Sequence, residues 1–206
     1  MEKGEPKEKK KLISLITLGE TSVGKTSLIS KYVDNIFENS VISTVGIDFK
    51  LKHLNKYGTN LSIKIWDTAG QERFNSIQSY FYKNIDGILL TFDLTNIISF
   101  EQLTKWYEQV KNVSPEGCTV VLIGNKIDLY DEIKISDEKA NNFAKKHSIK
   151  YFPISCKSGY NVNEVFDYII FEILSNQKET KNDNHIIIPK KMKDPKSKKL
   201  LQCCYA

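Results

Sequence analysis

The chain has 206 residues, 40% hydrophobic and 27% charged, with a net charge of +5 at neutral pH, which suits one compact soluble domain with a full core and some tail. No apolar stretch runs beyond five or six residues, against the roughly 20 needed to span a bilayer, so any membrane contact has to be peripheral. Residues 178–206 hold eight lysines against three acidic residues while the rest of the chain balances at 22 against 22, a pattern that points away from nucleic acid and toward an anionic membrane face.

The N-terminus, MEKGEPKEKKK, lacks the apolar core of a secretory signal, and residues 1–10 read as a disordered arm of a cytosolic protein. Leu12–Leu18 reads as a buried strand and Lys25–Val33 as a helix. Ile47, Phe49 and Leu51 then alternate with Asp48, Lys50 and Lys52 before Tyr57-Gly58-Thr59-Asn60 supplies a turn, which predicts a hairpin with one strand at a sheet edge. Further strand and helix pairs follow: Gly87–Phe92 with Ser99–Val113, Thr119–Gly124 with Asp137–His147, and Tyr151–Ile154 with Val162–Leu174. Ser99 with Gln102, and Asn161 with Glu164, have the spacing of an N-cap and its partner three residues on. Ile88–Leu90 and Val120–Ile123 are continuously apolar, as central strands are when helices cover both sheet faces. The alternation predicts an α/β fold with a mostly parallel sheet over residues 11–175. Periodicity stops after Leu174, and 176–206 read as a flexible basic tail.

Between the first strand and helix, Gly19-Glu20-Thr21-Ser22-Val23-Gly24-Lys25-Thr26 fits G-x-x-x-x-G-K-[ST]. Backbone N–H groups of such a loop and the positive end of the following helix cradle phosphate oxygens, Lys25 reaches the β- and γ-phosphates, and the Thr26 hydroxyl ligates Mg²⁺. The loop alone allows an ATPase, a kinase or a GTPase. Four cysteines, Cys118, Cys156, Cys203 and Cys204, form no C-x-x-C pair and sit beside no histidine cluster, so neither a zinc site nor a disulfide framework is indicated.

Three more segments each follow a predicted strand: Asp67-Thr68-Ala69-Gly70-Gln71, Asn125-Lys126-Ile127-Asp128 and Ser155-Cys156-Lys157. With the phosphate loop, these resemble the Ras-superfamily GTPases over residues 11–175. The resemblance implies the P-loop small GTPase fold, a six-stranded mostly parallel sheet with one antiparallel edge strand and helices on both faces. It implies binding of GTP or GDP with Mg²⁺, with Ser22, Val23, Gly24, Lys25, Thr26 and Ser27 around the phosphates. Asp128 would select guanine; Asn125 and Lys126 would hold the base and the phosphate loop; Ser155, Cys156 and Lys157 would meet the guanine O6, chiefly through the Cys156 N–H. Phe37 would lie over the guanine. Thr26 and Thr44 would ligate Mg²⁺, with Asp67 acting through water. Thr44 and Gly70 would touch the γ-phosphate from two switch loops that relax on hydrolysis, and Gln71 would orient the attacking water.

Thr44-Val45-Gly46-Ile47-Asp48-Phe49, the run Trp66 to Phe74, and Leu90-Thr91-Phe92-Asp93-Leu94-Thr95 resemble the segments that mark the Rab branch. Phe49, Trp66 and Phe81 match the aromatic triad read by Rab effectors, with Phe81 in place of the usual tyrosine. Tyr82-Lys83-Asn84-Ile85 departs from the common Y-R-G-A, and Cys156 stands where the family has alanine. The terminus Cys203-Cys204-Tyr205-Ala206 resembles the double-cysteine ends that receive two geranylgeranyl groups, a stable anchor where one lipid binds only marginally. The resemblance therefore implies a monomeric switch of vesicle traffic on the cytosolic face of an intracellular membrane. It would be served by an exchange factor, a GTPase-activating protein, effectors, a prenylation escort and a GDP-dissociation inhibitor. A recruitment module with negligible hydrolysis and a soluble Ran-like transport GTPase are the competing readings.

Overall fold

A computed structural model describes residues 10–38, 46–68 and 84–179. Strand β1 (Lys11–Leu18) leads through the Gly19–Gly24 loop into helix α1 (Lys25–Asp34); β2 (Ile47–Lys56) and β3 (Thr59–Thr68) form a hairpin; β4 (Gly87–Asp93) precedes α2 (Ile97–Glu101) and α3 (Leu103–Val113). Then come β5 (Thr119–Asn125), α4 (Asp137–Lys146), β6 (Lys150–Pro153) and α5 (Val162–Glu179).

The six strands lie in the order β2-β3-β1-β4-β5-β6, and each pair is parallel except β2 with β3. This is the expected mixed sheet with one antiparallel edge. Helices α1 and α5 cover one face, where Leu28, Ile29 and Tyr32 meet Phe166, Ile169, Ile170 and Ile173 over Ile13, Leu15, Ile63 and Ile65. The opposite face carries Phe100, Leu103, Trp106 and Val110 of α2 and α3 and Ala140 and Ala144 of α4, packed on Ile16, Leu18, Ile88, Leu90 and Leu122. Successive β4 residues alternate between these two clusters, so Gly87–Asp93 is buried throughout and no polar face appears in its sequence.

Local chemistry departs from the sequence reading in three places. The hairpin turns on two residues, Tyr57 and Gly58, both with positive φ (53° and 69°), the signature of the primed turns that match strand twist. Ser99 does not cap a helix: Asn96 does, accepting from the N–H groups of Ile98 and Ser99, while the Ser99 hydroxyl donates to the carbonyls of Asp93 and Asn96. Gln102 instead marks the break between α2 and α3. Asn161, at φ 56°, uses its side-chain amide to donate to the Pro153 carbonyl, which fixes the loop before α5 to the end of β6.

In strand β2 the row Lys50, Lys52, Leu54 and Lys56 is partly covered by the helices, opposite to Phe49 and Leu51. Phe49 and Leu51 are 42% and 46% exposed, whereas Lys50, Lys52 and Lys56 turn toward α1 and α5. There Lys50 Nζ meets Asp34 Oδ2 at 2.6 Å and donates to the Ser30 hydroxyl, Lys52 donates to the Tyr32 carbonyl, and Lys56 pairs with Asp167. Long lysine stems can lie on apolar surface with their charged ends reaching partners, so they cover the helix side as well as leucines would. No helix among the described residues is long and apolar enough to cross a membrane.

Candidate functional site

Strand order reverses at β1, which has β3 and β2 on one side and β4, β5 and β6 on the other, and open α/β sheets bind ligands at the carboxyl ends of strands at such a point. The buried polar and charged side chains among the described residues gather there: Thr17, Lys25, Asp67, Thr68, Thr91, Asp93, Ser99, Asn125 and Ser155. A core that excludes polar groups elsewhere and concentrates them at one end is built to meet something polar at that end.

The Gly19–Thr26 loop is held too closely for side chains at its two glycines. A Cβ on Gly19, at φ 139°, would stand 2.0 Å from the Thr91 carbonyl oxygen, and one on Gly24, at φ 98°, would stand 2.2 Å from the Asn125 amide nitrogen. Gly24 is also the N-cap of α1 and brings no side chain to the first-turn N–H groups, which leaves them open toward the loop. Lys25 is 5% exposed, and its Nζ donates to the carbonyls of Gly19 at 2.8 Å and Glu20 at 2.7 Å. Burial lowers its pKa from 10.5 to about 8, opposed by the charges of Asp67 and Glu20. The loop thus folds around a buried ammonium group, a placement that a bound anionic oxygen would favour.

Beside it, the Thr26 hydroxyl donates to Asp67 Oδ2 at 2.7 Å. Strand β3 delivers that carboxylate by running parallel to β1, and two cross-strand bonds lock the pair just below: Thr68 Oγ1 to the Thr17 carbonyl at 2.7 Å and Thr17 Oγ1 to the Trp66 carbonyl at 3.2 Å. A hydroxyl and a carboxylate side by side at the mouth of a phosphate loop are hard oxygen donors of the kind Mg²⁺ takes together with substrate phosphates. Ser27 lies in the next position, beside a cleft that also reaches Ser30, Asp34 and Lys50.

Asn125, at the end of β5, joins the loop to the rest of the site. Its Nδ2 donates to the Val23 carbonyl at 2.9 Å, and its Oδ1 accepts the Cys156 N–H at 3.2 Å. That N–H, expected to face a guanine, is therefore engaged within the protein. Lys126, at φ 70°, pairs with buried Asp93 at 2.5 Å; Ile127 N–H donates to the Ile154 carbonyl, and Asp128 follows half-buried. The Ser155 hydroxyl accepts from Ser158 N–H at 3.0 Å, Cys156 is buried, and Lys157 is exposed. Burial raises the Cys156 thiol to about 12, the Asn125 contact working against it. Phe37 is half-buried against the α1 and α5 cluster, and Ser22 stands at the loop surface with φ 64°.

The structure thus draws Val23, Gly24, Lys25, Thr26, Asp67, Asn125 and Cys156 into one contiguous set, with Lys126 and Ser155 in the adjoining turns. Phe49 and Trp66 stand apart from it on the exposed hairpin face, rings edge to face at 5.2 Å, with Lys64 Nζ 4.1 Å and 3.8 Å from the two centroids. Thr44, Gly70, Gln71, Phe81, Cys203 and Cys204 lie outside the described residues, as do the N-terminal arm up to residue 9 and the tail from residue 180. Asp93 was not among the residues singled out for a role: a buried aspartate closing a central strand is a visible signal, and its pairing with Lys126 explains it.

Residues 14–175 match the model of the Ras family. The chain is 37% identical over 174 residues to the Ras-related protein Rab-13 of Mesocricetus auratus, spanning 84% of this chain and 86% of that one. It is 37% identical over 163 residues to the Ras-related protein Rab-10 of Diplobatis ommata, covering 79% and 82%. With the GTP-binding protein Rab-3D of Rattus norvegicus the identity is 37% over 169 residues, covering 82% and 77%. Ras-family GTPases bind guanine nucleotide and Mg²⁺, and the buried lysine, the Thr26–Asp67 oxygen pair and the side-chain-free glycines fit both groups. The chain belongs to the Ras family and is a Rab-type small GTPase of intracellular vesicle traffic.

Proposed function

We propose that the chain holds GTP or GDP across the carboxyl ends of β1, β3, β5 and β6, and that the nucleotide's γ-phosphate decides which partners it recruits. The observation that carries this is the Asn125 junction, which binds Val23 of the phosphate loop and Cys156 of the last loop at once and so makes the phosphate end and the base end a single unit. In this reading Ser22 to Ser27 surround the phosphates, with Lys25 against the β- and γ-oxygens. Thr26 and Thr44 ligate Mg²⁺ with Asp67 behind them. Held by these oxygens, Mg²⁺ would supply charge neutralisation to the phosphates. Asp128 accepts from the guanine N1–H and amino group, Asn125, Lys126, Ser155, Cys156 and Lys157 line the base, and Phe37 covers it.

Gln71 orients the attacking water and Gly70 contacts the γ-phosphate, so hydrolysis removes the Thr44 and Gly70 contacts together and lets both segments relax. Positioning of this kind gives slow turnover by itself, and an arginine supplied by an activating partner raises such rates by roughly 10³ to 10⁵. The chain therefore works as a switch between an exchange factor and an activating protein. Phe49, Trp66 and Phe81 present the effector face, supported by the exposure of Phe49 beside Trp66. Cys203 and Cys204 carry geranylgeranyl groups that hold residues 11–175 on the cytosolic face of an endomembrane through the basic tail, and an escort and a dissociation inhibitor manage those lipids.

The test is a GDP, GTP and ATP competition in Mg²⁺ on wild type and Asp128→Ala. Tight binding of guanine nucleotides alone, abolished by the substitution, is expected. Binding of ATP, or indifference to Asp128→Ala, would sink the reading.

A further inference from the structure

The Trp106 indole N–H donates to Glu20 Oε1 at 2.9 Å, a bond between α3 and the second residue of the phosphate loop, 86 positions away in sequence. Trp106 is 4% exposed, packed among Phe100, Leu103 and Val110 against the sheet. A buried indole N–H has one proton to give and needs an acceptor, and the acceptor here belongs to the loop rather than to the helix or the core. Glu20 is engaged at both ends: its side chain takes the indole proton, and its main-chain carbonyl accepts Lys25 Nζ at 2.7 Å.

Just before it, Gly19 is seated against the Thr91 carbonyl with no room for a Cβ. The entry of the loop is therefore held from β4 and α3, and its exit from β5 through Asn125 and Val23. Gly19 is seated by shape and by the bond its carbonyl accepts from Lys25 Nζ, whereas Glu20 adds a charge-assisted hydrogen bond from its side chain to α3.

We propose that Glu20 and Trp106 are a positioning pair for nucleotide retention: the indole of α3 holds Glu20, and Glu20 supplies one of the two carbonyls, beside that of Gly19, on which Lys25 rests. Helix α3 thereby sets where Lys25 meets the phosphates. Neither side chain touches nucleotide in this scheme. The inference rests on guanine nucleotide binding at this loop and adds a route by which a partner seated on α3 would alter release.

Trp106→Phe keeps the ring and removes the donor; Glu20→Ala removes the acceptor; Glu20→Gln keeps an acceptor oxygen without the charge. Release of a fluorescent GDP in Mg²⁺ is expected to quicken about tenfold in Trp106→Phe and in Glu20→Ala, to stay within about threefold of wild type in Glu20→Gln, and to be no faster in the double variant than in either single one. Thermal unfolding of each GDP-loaded protein separates this from simple loss of packing, which would lower the midpoint of Trp106→Phe and leave that of Glu20→Ala and both release rates near wild type. Multiplying effects in the double variant, or a Glu20→Gln as fast as Glu20→Ala, would overturn the pair while leaving nucleotide binding intact. A wild type that retains no GDP would overturn the nucleotide reading and the pair together.

Discussion

Asn125 and Val23, 102 residues apart, are joined by a 2.9 Å hydrogen bond from the side-chain amide to the loop carbonyl, at a point where both groups are buried. The same amide accepts the Cys156 N–H, so one side chain satisfies two main-chain groups from two different loops. Asn125→Ala strips both at once and leaves a buried carbonyl and a buried N–H without this partner. The expected cost is about 2 to 4 kcal/mol in the urea unfolding free energy, with GDP release accelerated at least tenfold. Asn125→Asp tests the direction of the bonds: it can still accept from Cys156 but cannot donate to Val23, so it should release GDP nearly as fast as the alanine variant.

Gly19 makes a sharper prediction about backbone space. A methyl group there would overlap the Thr91 carbonyl at 2.0 Å, and that oxygen belongs to a buried central strand that cannot shift. Its φ of 139° is also one that an L-residue rarely adopts. Gly19→Ala should therefore fold poorly or lose about 3 kcal/mol or more, read as a lowered unfolding midpoint in the absence of nucleotide. By contrast Gly58→Ala, where nothing stands within 4 Å of the new methyl, should cost only the strain of its φ of 69°, about 1 kcal/mol.

These positions show which parts of the molecule the sequence discloses. The central strands were legible because burial on both faces forces unbroken apolar runs, as in Ile88–Leu90, and the phosphate loop was legible because glycines and Lys25 recur at fixed spacing. Strand β2 misleads because Lys50, Lys52 and Lys56 accompany Leu54 on its helix side, while Phe49 and Leu51 face outward. Helix α5 runs on to Glu179, past Leu174, through Ser175-Asn176-Gln177-Lys178-Glu179, which are all polar and give periodicity no apolar face to register. Glu20 with Trp106, and Asn125 with Cys156, are contacts between segments far apart in sequence, and no local pattern encodes them.

Asp86 gives a prediction whose size depends on pH. Its carboxylate accepts from Ser14 N–H at 2.8 Å and from Gln177 Nε2 at 3.1 Å, tying β1 and α5 to the residue before β4. Burial nevertheless raises its pKa above 3.8, outweighing those bonds and the charge of Lys11. A carboxyl raised on folding favours the folded state while neutral: that contribution is complete below pH 3.8 and is lost as pH rises through the folded value. At neutral pH the ionised group is a net cost. Asp86→Asn keeps an acceptor for Ser14 and can donate to Gln177 once that amide turns over, so it should match or exceed wild-type stability at neutral pH. The gain should shrink as pH falls toward the carboxyl's own range. Urea midpoints of both proteins across that range are the measurement, and a variant less stable at neutral pH would mean that the charge strengthens the Ser14 bond more than burial weakens it.

The two cysteines of the described residues bear on how firmly the last loop is closed. Burial pushes both Cys118 and Cys156 from 9.0 up to about 12. Folding thus favours the neutral thiol, a contribution fully present below pH 9.0 and lost as pH climbs toward 12. Because the thiolate is the nucleophile, neither should react with iodoacetamide in the native protein near neutral pH. In denaturant both should label, and peptide mass spectrometry would assign each site. Rapid native labelling of Cys156 would have a specific meaning: its segment would have to lift away from Asn125 and from the Gly24 carbonyl, 4.0 Å from the sulfur. Asn125→Ala should then speed that labelling further, whereas bound GDP, which occupies the junction between the same loops, should slow it in proportion to occupancy.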